Sequence, residues 1–117
     1  MDETSITLRV ELRADTLLGP GKAALLQGIR ESGSIAAAGR RMGMSYKRAW
    51  YLIDTLNRSF RARLVEASKG GKAGGGARLT ATGHAVIEGY RRMEAAASSA
   101  TAGELARLEA LLRPAEN

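Results

Sequence analysis

The chain has 117 residues, about one domain, of which 44% are hydrophobic but only 4% aromatic. It has no cysteine and a single histidine, His84, which excludes disulfides, thiolate metal sites and cysteine nucleophiles and leaves little material for a metal centre or acid–base catalysis. The net charge of +6 is concentrated in the middle: residues 30–92 hold 13 Lys or Arg against 4 Asp or Glu, which predicts a polyanionic partner unless this surface is merely solvated.

We therefore expect neither an enzyme nor a protein with a cofactor or bound metal. A core of aliphatic residues and alanine, with few aromatics, favours helices over a sandwich. No apolar run approaches the roughly 20 residues of a membrane span, and the N-terminus MDETSITLRV lacks the pattern of a signal peptide. The sequence thus predicts a soluble, cytoplasmic protein with no membrane partner.

The first two predicted elements are a strand and a helix. From Ile6 to Leu12 the sequence ITLRVEL alternates apolar and polar residues, the pattern of a half-buried strand. We expect this lone strand to pair with the later β-hairpin or with a strand of a second chain. The helix spans Pro20 to Ser32, because proline suits the first helical position and Gly33 is a natural left-handed stop.

Two helices joined by a short turn follow. Ser34 is a good N-cap for a helix from Ile35 to Arg41, and Ser45 caps the next one. The apolar residues of that second helix recur at i, i+3, i+4 and i+7: Ala49, Leu52, Ile53 and Leu56. Gly39 would let the two helices approach closely, and Gly43 would take the positive φ that the turn requires. This is the helix-turn-helix pattern, and together with the charge it favours nucleic-acid binding.

Two short strands, LVEAS (64–68) and ARLT (77–80), flank the glycine-rich stretch KGGKAGGG. A phosphate-binding P-loop would have glycine in place of Glu66 and a hydroxyl in place of Ala73, so we reject nucleotide binding. A linker is disfavoured because strand-like sequence begins at once on both sides. We interpret the stretch as the tip of a β-hairpin wing that can approach the sugar-phosphate backbone. The predicted fold is therefore mainly α with a small β-hairpin wing, a winged helix-turn-helix.

The C-terminal part is predicted to be helical. A stripe expected to cover the winged domain consists of Val86, Ile87, Tyr90 and Met93. A last helix, or an extension with a kink or turn at Gly103, would stop at Pro114. Four leucines of this segment have no obvious partner within the chain and are predicted to form a dimerisation surface: Leu105, Leu108, Leu111 and Leu112. The expected domains are a winged helix-turn-helix with its N-terminal strand at 1–95 and a C-terminal helical dimerisation extension at 96–117.

Two stretches of the sequence resemble a known family. GSIAAAGRRMGMSYKRAWYLID covers the helix-turn-helix and LVEASKGGKAGGGARLTATG covers the wing. Both are similar to the N-terminal DNA-binding domain of the ModE family, the molybdate-responsive bacterial transcriptional regulators. A more distant resemblance is to the winged domain of LysR-type regulators. The resemblance covers about residues 17–93 and is most specific at GMSYKRAW, GGKAGGG and LTATG.

This resemblance implies a homodimer that binds a palindromic operator, often as a repressor of molybdate-uptake genes. Longer members of the family carry a C-terminal molybdate-binding region of small β-barrel modules. The sequence ends at Asn117 without such a region. We therefore expect a sequence-specific regulator that binds double-stranded DNA, lacks its own molybdate-binding domain and does not itself bind molybdate.

The candidate DNA-binding residues lie on three parts of the predicted fold. The start of the second helix should reach the major groove, while the end of the preceding helix and the wing should meet phosphates; the alternative in each case is a solvated surface. The candidates are Ser45, Tyr46, Lys47, Arg48, Tyr51 and Arg58 on the second helix, Arg40 and Arg41 on the first, and Lys69, Lys72 and Arg78 on the wing. Trp50 is expected to pack at the domain edge rather than on DNA, and His84 to be an ordinary polar residue in the first turn of its helix.

Two other functions compete with that of a specific regulator. A non-specific architectural or nucleoid-type DNA protein would also be small, basic and dimeric, although polar side chains at the start of the long second helix favour sequence readout. A small oxyanion-binding protein would use the glycine amides as an anion nest. A preference for one DNA sequence that resists salt would distinguish the regulator from the architectural protein.

Overall fold

The structure, a computed structural model, describes residues 3–13, 15–68 and 76–114. An N-terminal hairpin of β1 (Val10–Leu12) and β2 (Thr16–Leu18) precedes three helices, α1 (Pro20–Ser32), α2 (Ile35–Arg41) and α3 (Tyr46–Ser59). A second antiparallel pair, β3 (Val65–Ser68) and β4 (Gly76–Leu79), leads into a long helix, α4 (Ala81–Ala110). Three helices followed by a two-stranded hairpin form a winged helix-turn-helix, so the predicted fold class is confirmed.

The N-terminal strand differs from its prediction. Only Val10–Leu12 forms a strand, and its partner is β2, with Val10 opposite Leu18 and Leu12 opposite Thr16. The expectation of a partner in the wing is therefore wrong, and the strand finds a partner within its own chain. The cause is that β2 is three residues long, too short for alternation to show in the sequence.

Residues before β1 run along α4 instead of joining a sheet. Ile6 and Leu8 are half-buried, and the hydroxyl of Tyr90 donates a 2.6 Å hydrogen bond to the Leu8 carbonyl oxygen. Burial raises the pKa of the Tyr90 phenol, which keeps this donor protonated. The alternation seen in the sequence thus reflects an extended segment that buries one side against a helix.

The ends of α1, α2 and α3 follow from local capping. Gly33 has a φ of 73° and its N–H donates to the Ile29 carbonyl at 2.8 Å, which ends α1 as predicted. The Ser34 hydroxyl accepts from the Ala37 N–H at 3.0 Å, and the Ser45 hydroxyl accepts from the Arg48 N–H at 3.0 Å. Each cap satisfies an N–H that has no partner within its helix, so α2 and α3 begin where the sequence predicts.

One core joins the three helices of the helix-turn-helix unit to the wing and to α4. Gly39 of α2 lies against α3, since a Cβ at this position would come within 3.0 Å of the Ala49 side chain. The predicted close approach at Gly39 is therefore present. The largest side chains of this core are fully buried: Leu25, Leu26 and Ile29 of α1, Ile53 and Leu56 of α3, Leu64 and Val65 at β3, and Ile87 of α4.

The C-terminal segment is one continuous helix of 30 residues, with Gly103 inside it rather than at a kink or turn. It ends at Ala110, before the predicted stop at Pro114, so Leu111 and Leu112 follow the helix. Met93, predicted to cover the winged domain, is 42% exposed, because the core packs against Tyr90, about one turn earlier, and Ile87, nearly two turns earlier; this part of the prediction is wrong. Within the described ranges, no helix contains an apolar stretch of the length that a membrane span requires.

Candidate nucleic-acid interface

The turn between α2 and α3 fixes where α3 begins. Gly43 adopts the predicted positive φ, 69°, and the Met44 N–H donates to the Gly39 carbonyl at 3.0 Å. The Ser45 hydroxyl is engaged as the N-cap of α3. Ser45, a predicted DNA contact, therefore sets the direction in which the first turn of α3 points.

The packing of α3 buries one side of the helix and leaves the opposite side exposed. Ala49, Ile53 and Leu56 are buried in the core. At 3.6 residues per turn, the opposite side presents Lys47, Tyr51, Asp54 and Arg58, which we call the outer ridge. Three of these four are exposed, Tyr51 to 58%. The outer ridge is the part of α3 that a groove of nucleic acid could receive.

One side of α3 faces the wing. Tyr46 and Trp50, one turn apart, border a groove whose other wall includes Ala67 of β3 and Ala77 of β4. Trp50 is 38% exposed and Tyr46 is 55% exposed. Trp50 thus lies at the domain edge, as the sequence suggested, between the start of α2 and the wing.

Asn57 fastens α3 to the wing and was not identified from the sequence. Its Oδ1 accepts from the Leu64 N–H at 2.8 Å and from the Val65 N–H at 3.1 Å, while its Nδ2 donates to the Val65 carbonyl at 3.1 Å. One amide side chain therefore matches both donors and an acceptor at the start of β3. In the sequence, Asn57 is recognisable only as a polar residue directly beside the apolar stripe of a helix. That position does not reveal which groups its side chain contacts.

The wing is held against the helix-turn-helix unit through β4. The Ala77 N–H of β4 donates to the carbonyl of Gly33 at 2.9 Å, which joins β4 to the turn between α1 and α2. Arg78, a predicted phosphate contact, lies opposite Glu66 in the antiparallel register and pairs with it at 3.1 Å. The other two predicted wing contacts, Lys69 and Lys72, lie outside the described residues.

The cations near α3 differ in whether an ion pair within the protein already neutralises them. Arg41 pairs with Glu31 at 2.6 Å, and hydrogen bonds from Gln27 and Arg41 lower the pKa of that carboxyl group. Arg58 pairs with Asp54 at 2.8 Å. In the ranges 3–13, 15–68 and 76–114, no ion pair involves Arg40, Lys47 or Arg48, all of them exposed.

Within this interface Arg48 is oriented by an aromatic neighbour. Its guanidinium carbon lies 5.8 Å from the centre of the Tyr51 ring, one turn later on α3. His84 is half-buried in the first turn of α4. Of the predicted contacts that the structure describes, those on α3 share one helix, whereas Arg40 and Arg41 lie at the end of α2 and Arg78 on the wing.

Comparison with known proteins places this domain among bacterial regulators. Residues 22–84 match the family described as "Bacterial regulatory helix-turn-helix protein, lysR family". Among solved structures, the DNA-binding domain of CbnR in complex with DNA has a TM-score of 0.55 and 27% identity, covering 76% of this chain and 94% of that one. Full-length CbnR with its target DNA gives a TM-score of 0.53 and 26% identity, covering 74% of this chain and 27% of that one.

Curated relatives match over most of this chain but over a minor part of their own length. The molybdenum-pterin-binding protein MopA of Rhodobacter capsulatus is 45% identical over 83 residues, 71% of this chain and 31% of MopA. The DNA-binding transcriptional dual regulator ModE of Escherichia coli (strain K12) is 39% identical over 88 residues, 75% of this chain and 34% of ModE. The chain thus spans about a third of the length of these relatives. It carries a helix-turn-helix DNA-binding domain like those of ModE and LysR-type regulators, which confirms the resemblance predicted from the sequence.

Proposed function

We propose that this chain, which belongs to the lysR family of bacterial regulatory helix-turn-helix proteins, regulates transcription by binding specific sites on double-stranded DNA. The observation that carries the proposal is the outer ridge of α3, with its basic and aromatic side chains exposed beside a wing that is fastened to the same helix. An α-helix fits the major groove of B-DNA, where each base pair presents a distinct pattern of donors and acceptors. The solved structure of the CbnR DNA-binding domain, 27% identical to this chain, is a complex with DNA and supports DNA as the partner.

In this proposal the interface residues divide between base and backbone contacts. Lys47 and Tyr51 of the outer ridge are suited to base edges, and Tyr46 and Trp50 line the side of α3 nearest the wing. The proposed contacts are those expected from the sequence: Ser45, Tyr46, Lys47, Arg48, Tyr51 and Arg58 on α3, Arg40 and Arg41 on α2, and Lys69, Lys72 and Arg78 on the wing. Cations at the margins neutralise phosphates and add affinity without sequence information.

We also propose that the regulator acts as a homodimer through the C-terminal part of α4, with residues 1–95 binding DNA and 96–117 joining two copies. Leu108 is 55% exposed, Leu111 81% and Leu112 67%, so these side chains have little apolar contact within one chain. Leu105 is half-buried and lies with the segment around Thr4 and Ile6, so its contribution to the dimer would be smaller. A two-fold dimer would present two α3 helices to a palindromic operator.

The test is the sequence preference of the purified chain. Bound sequences are selected from a random DNA pool, and affinities for the selected duplex and a scrambled duplex are then compared near physiological salt. A regulator should prefer the selected site by roughly 10³-fold or more. Equal affinity for both duplexes would support the architectural alternative and overturn the proposal.

A further inference from the structure

The side of α3 that faces away from the wing borders a second groove, the hairpin-side groove. Arg48 and Leu52, one turn apart, and Met44 of the preceding turn form one wall. The other wall comes from Arg9 before β1 and from the junction of β2 and α1, residues 17–22. The groove therefore has an apolar base and a rim with three cations from separate parts of the chain: Arg9, Lys22 and Arg48.

The three cations are not neutralised by neighbours. The Lys22 ammonium donates to the Leu17 carbonyl at 2.9 Å, which holds it at the groove while its charge remains uncompensated. Arg9 and Arg48 are exposed, and the first turn of α1 contains no acidic residue. No ion pair within the described part of the chain involves Arg9, Lys22 or Arg48. The groove thus concentrates positive charge around apolar surface, which complements phosphates joined by sugars.

We propose that the hairpin-side groove is a second contact for the sugar-phosphate backbone of DNA, on the side of α3 opposite the wing. This inference rests on the proposed function, in which the outer ridge enters the major groove. That groove is about 12 Å wide and a helix with its side chains is about 10–12 Å across, so a phosphate backbone passes close to each side of the helix. The wing lies on the Trp50 side, and the hairpin-side groove lies where the other strand would pass. The β1–β2 hairpin and the start of α1 thereby gain a role in DNA binding.

The decisive variant is Arg9→Gln with Lys22→Gln in the full chain. Each phosphate contact contributes about 0.9 to the slope of log affinity against log salt concentration. The double variant should therefore have a slope shallower by about 1.8, on the selected and scrambled duplexes alike. Its affinity deficit relative to wild type should shrink roughly tenfold between about 50 and 200 mM salt. Lys22→Arg, which keeps the charge, should retain the wild-type slope.

A charge-matched control is Arg91→Gln with Arg92→Gln, two exposed residues of α4 that belong neither to the proposed DNA contacts nor to the proposed dimer segment. It should leave the slope unchanged, and circular dichroism should show that both double variants are folded. The inference would be overturned if the Arg9/Lys22 variant kept the wild-type slope, or if the slope fell equally in the control. The proposed function would still stand in that case, provided that the wild type bound the selected duplex specifically. The opposite outcome is also distinguishable. If the wild type showed no sequence preference but the Arg9/Lys22 variant still had a shallower slope, the second contact would be supported and the specific regulator rejected.

Discussion

Removing the side chain that joins α3 to the wing should destabilise the whole domain. In Asn57→Ala, hydrogen bonds to the Leu64 and Val65 N–H groups and to the Val65 carbonyl are lost. Leu64 and Val65 are 0% and 2% exposed, so water has little access to these residues as a substitute partner. Each hydrogen bond contributes a net ~0.5–1.5 kcal/mol, and an unsatisfied buried group costs more. We therefore expect the free energy of unfolding to fall by about 2–4 kcal/mol.

Urea denaturation followed by circular dichroism measures this loss, and the thermal midpoint should fall by roughly 4 °C per kcal/mol for a domain of this size. Ser59→Ala is the matched control, because its hydroxyl donates only to the Thr55 carbonyl on the exposed side of the same helix. It should change stability by less than about 0.5 kcal/mol. Asn57→Asp keeps the acceptor oxygen for Leu64 and Val65 and should give an intermediate loss.

The same variant tests whether wing placement matters for DNA binding. At a temperature where Asn57→Ala remains folded, its affinity for the selected duplex should be reduced, since β3 is no longer fastened to the end of α3. If Asn57→Ala were as stable as Ser59→Ala, the expected loss in the free energy of unfolding would be refuted. A clearly destabilised one that binds DNA with wild-type affinity when folded would show that the wing needs no such attachment.

The remaining predictions concern base reading, assembly and effector. Lys47→Ala should reduce the free energy of binding by about 1–3 kcal/mol on the selected duplex and by much less on a scrambled one. Arg48→Ala, at the rim of the hairpin-side groove, should weaken binding to both duplexes equally. Fluorescence anisotropy on the two duplexes measures both effects. Leu108→Asp with Leu111→Asp should convert a dimer into a folded monomer in sedimentation, because both side chains are exposed within one chain; a wild-type monomer with full operator affinity would contradict this. Calorimetry with molybdate should show no tight binding by the 117-residue chain, and a stoichiometric signal would instead favour the oxyanion-binding alternative.

The features of the fold that sequence reasoning recovered are those fixed locally. Gly33, Ser34 and Ser45 determine helix ends through hydrogen bonds that span three or four residues, so α1 and α2 have the predicted bounds. The wing strands were recovered because the glycine-rich stretch interrupts two short strand-like runs. The resemblance to a known family gave the order of these parts independently.

The features that were missed depend on contacts distant in sequence or on competition between local preferences. The β1–β2 hairpin turns at Arg13, whose φ of 59° is unusual for a residue other than glycine, so no turn signal marks it. Asn57 finds its partners seven and eight residues later, across a bend. Gly103 costs a helix about 1 kcal/mol relative to alanine, but the surrounding alanine-rich sequence continues α4 through it.

A carboxylate on the outer ridge of α3 bears on the choice between a specific regulator and an architectural protein. Asp54 lies on the outer ridge with Lys47 and Tyr51 and holds the Arg58 guanidinium at 2.8 Å. For a protein that binds only phosphates, a negative charge on the DNA-facing side lowers the affinity for DNA and contributes no sequence preference. For a sequence reader it can accept from cytosine N4 or orient Arg58.

Asp54→Asn should therefore strengthen binding to scrambled DNA while reducing the preference for the selected duplex by about 1–3 kcal/mol, roughly tenfold or more. Glu11→Gln, an equal change of charge on the exposed side of β1, is the control and should leave that preference unchanged. If Asp54→Asn strengthened binding to both duplexes equally, the carboxylate would act only through its charge, and the outer ridge would lose its role in base reading.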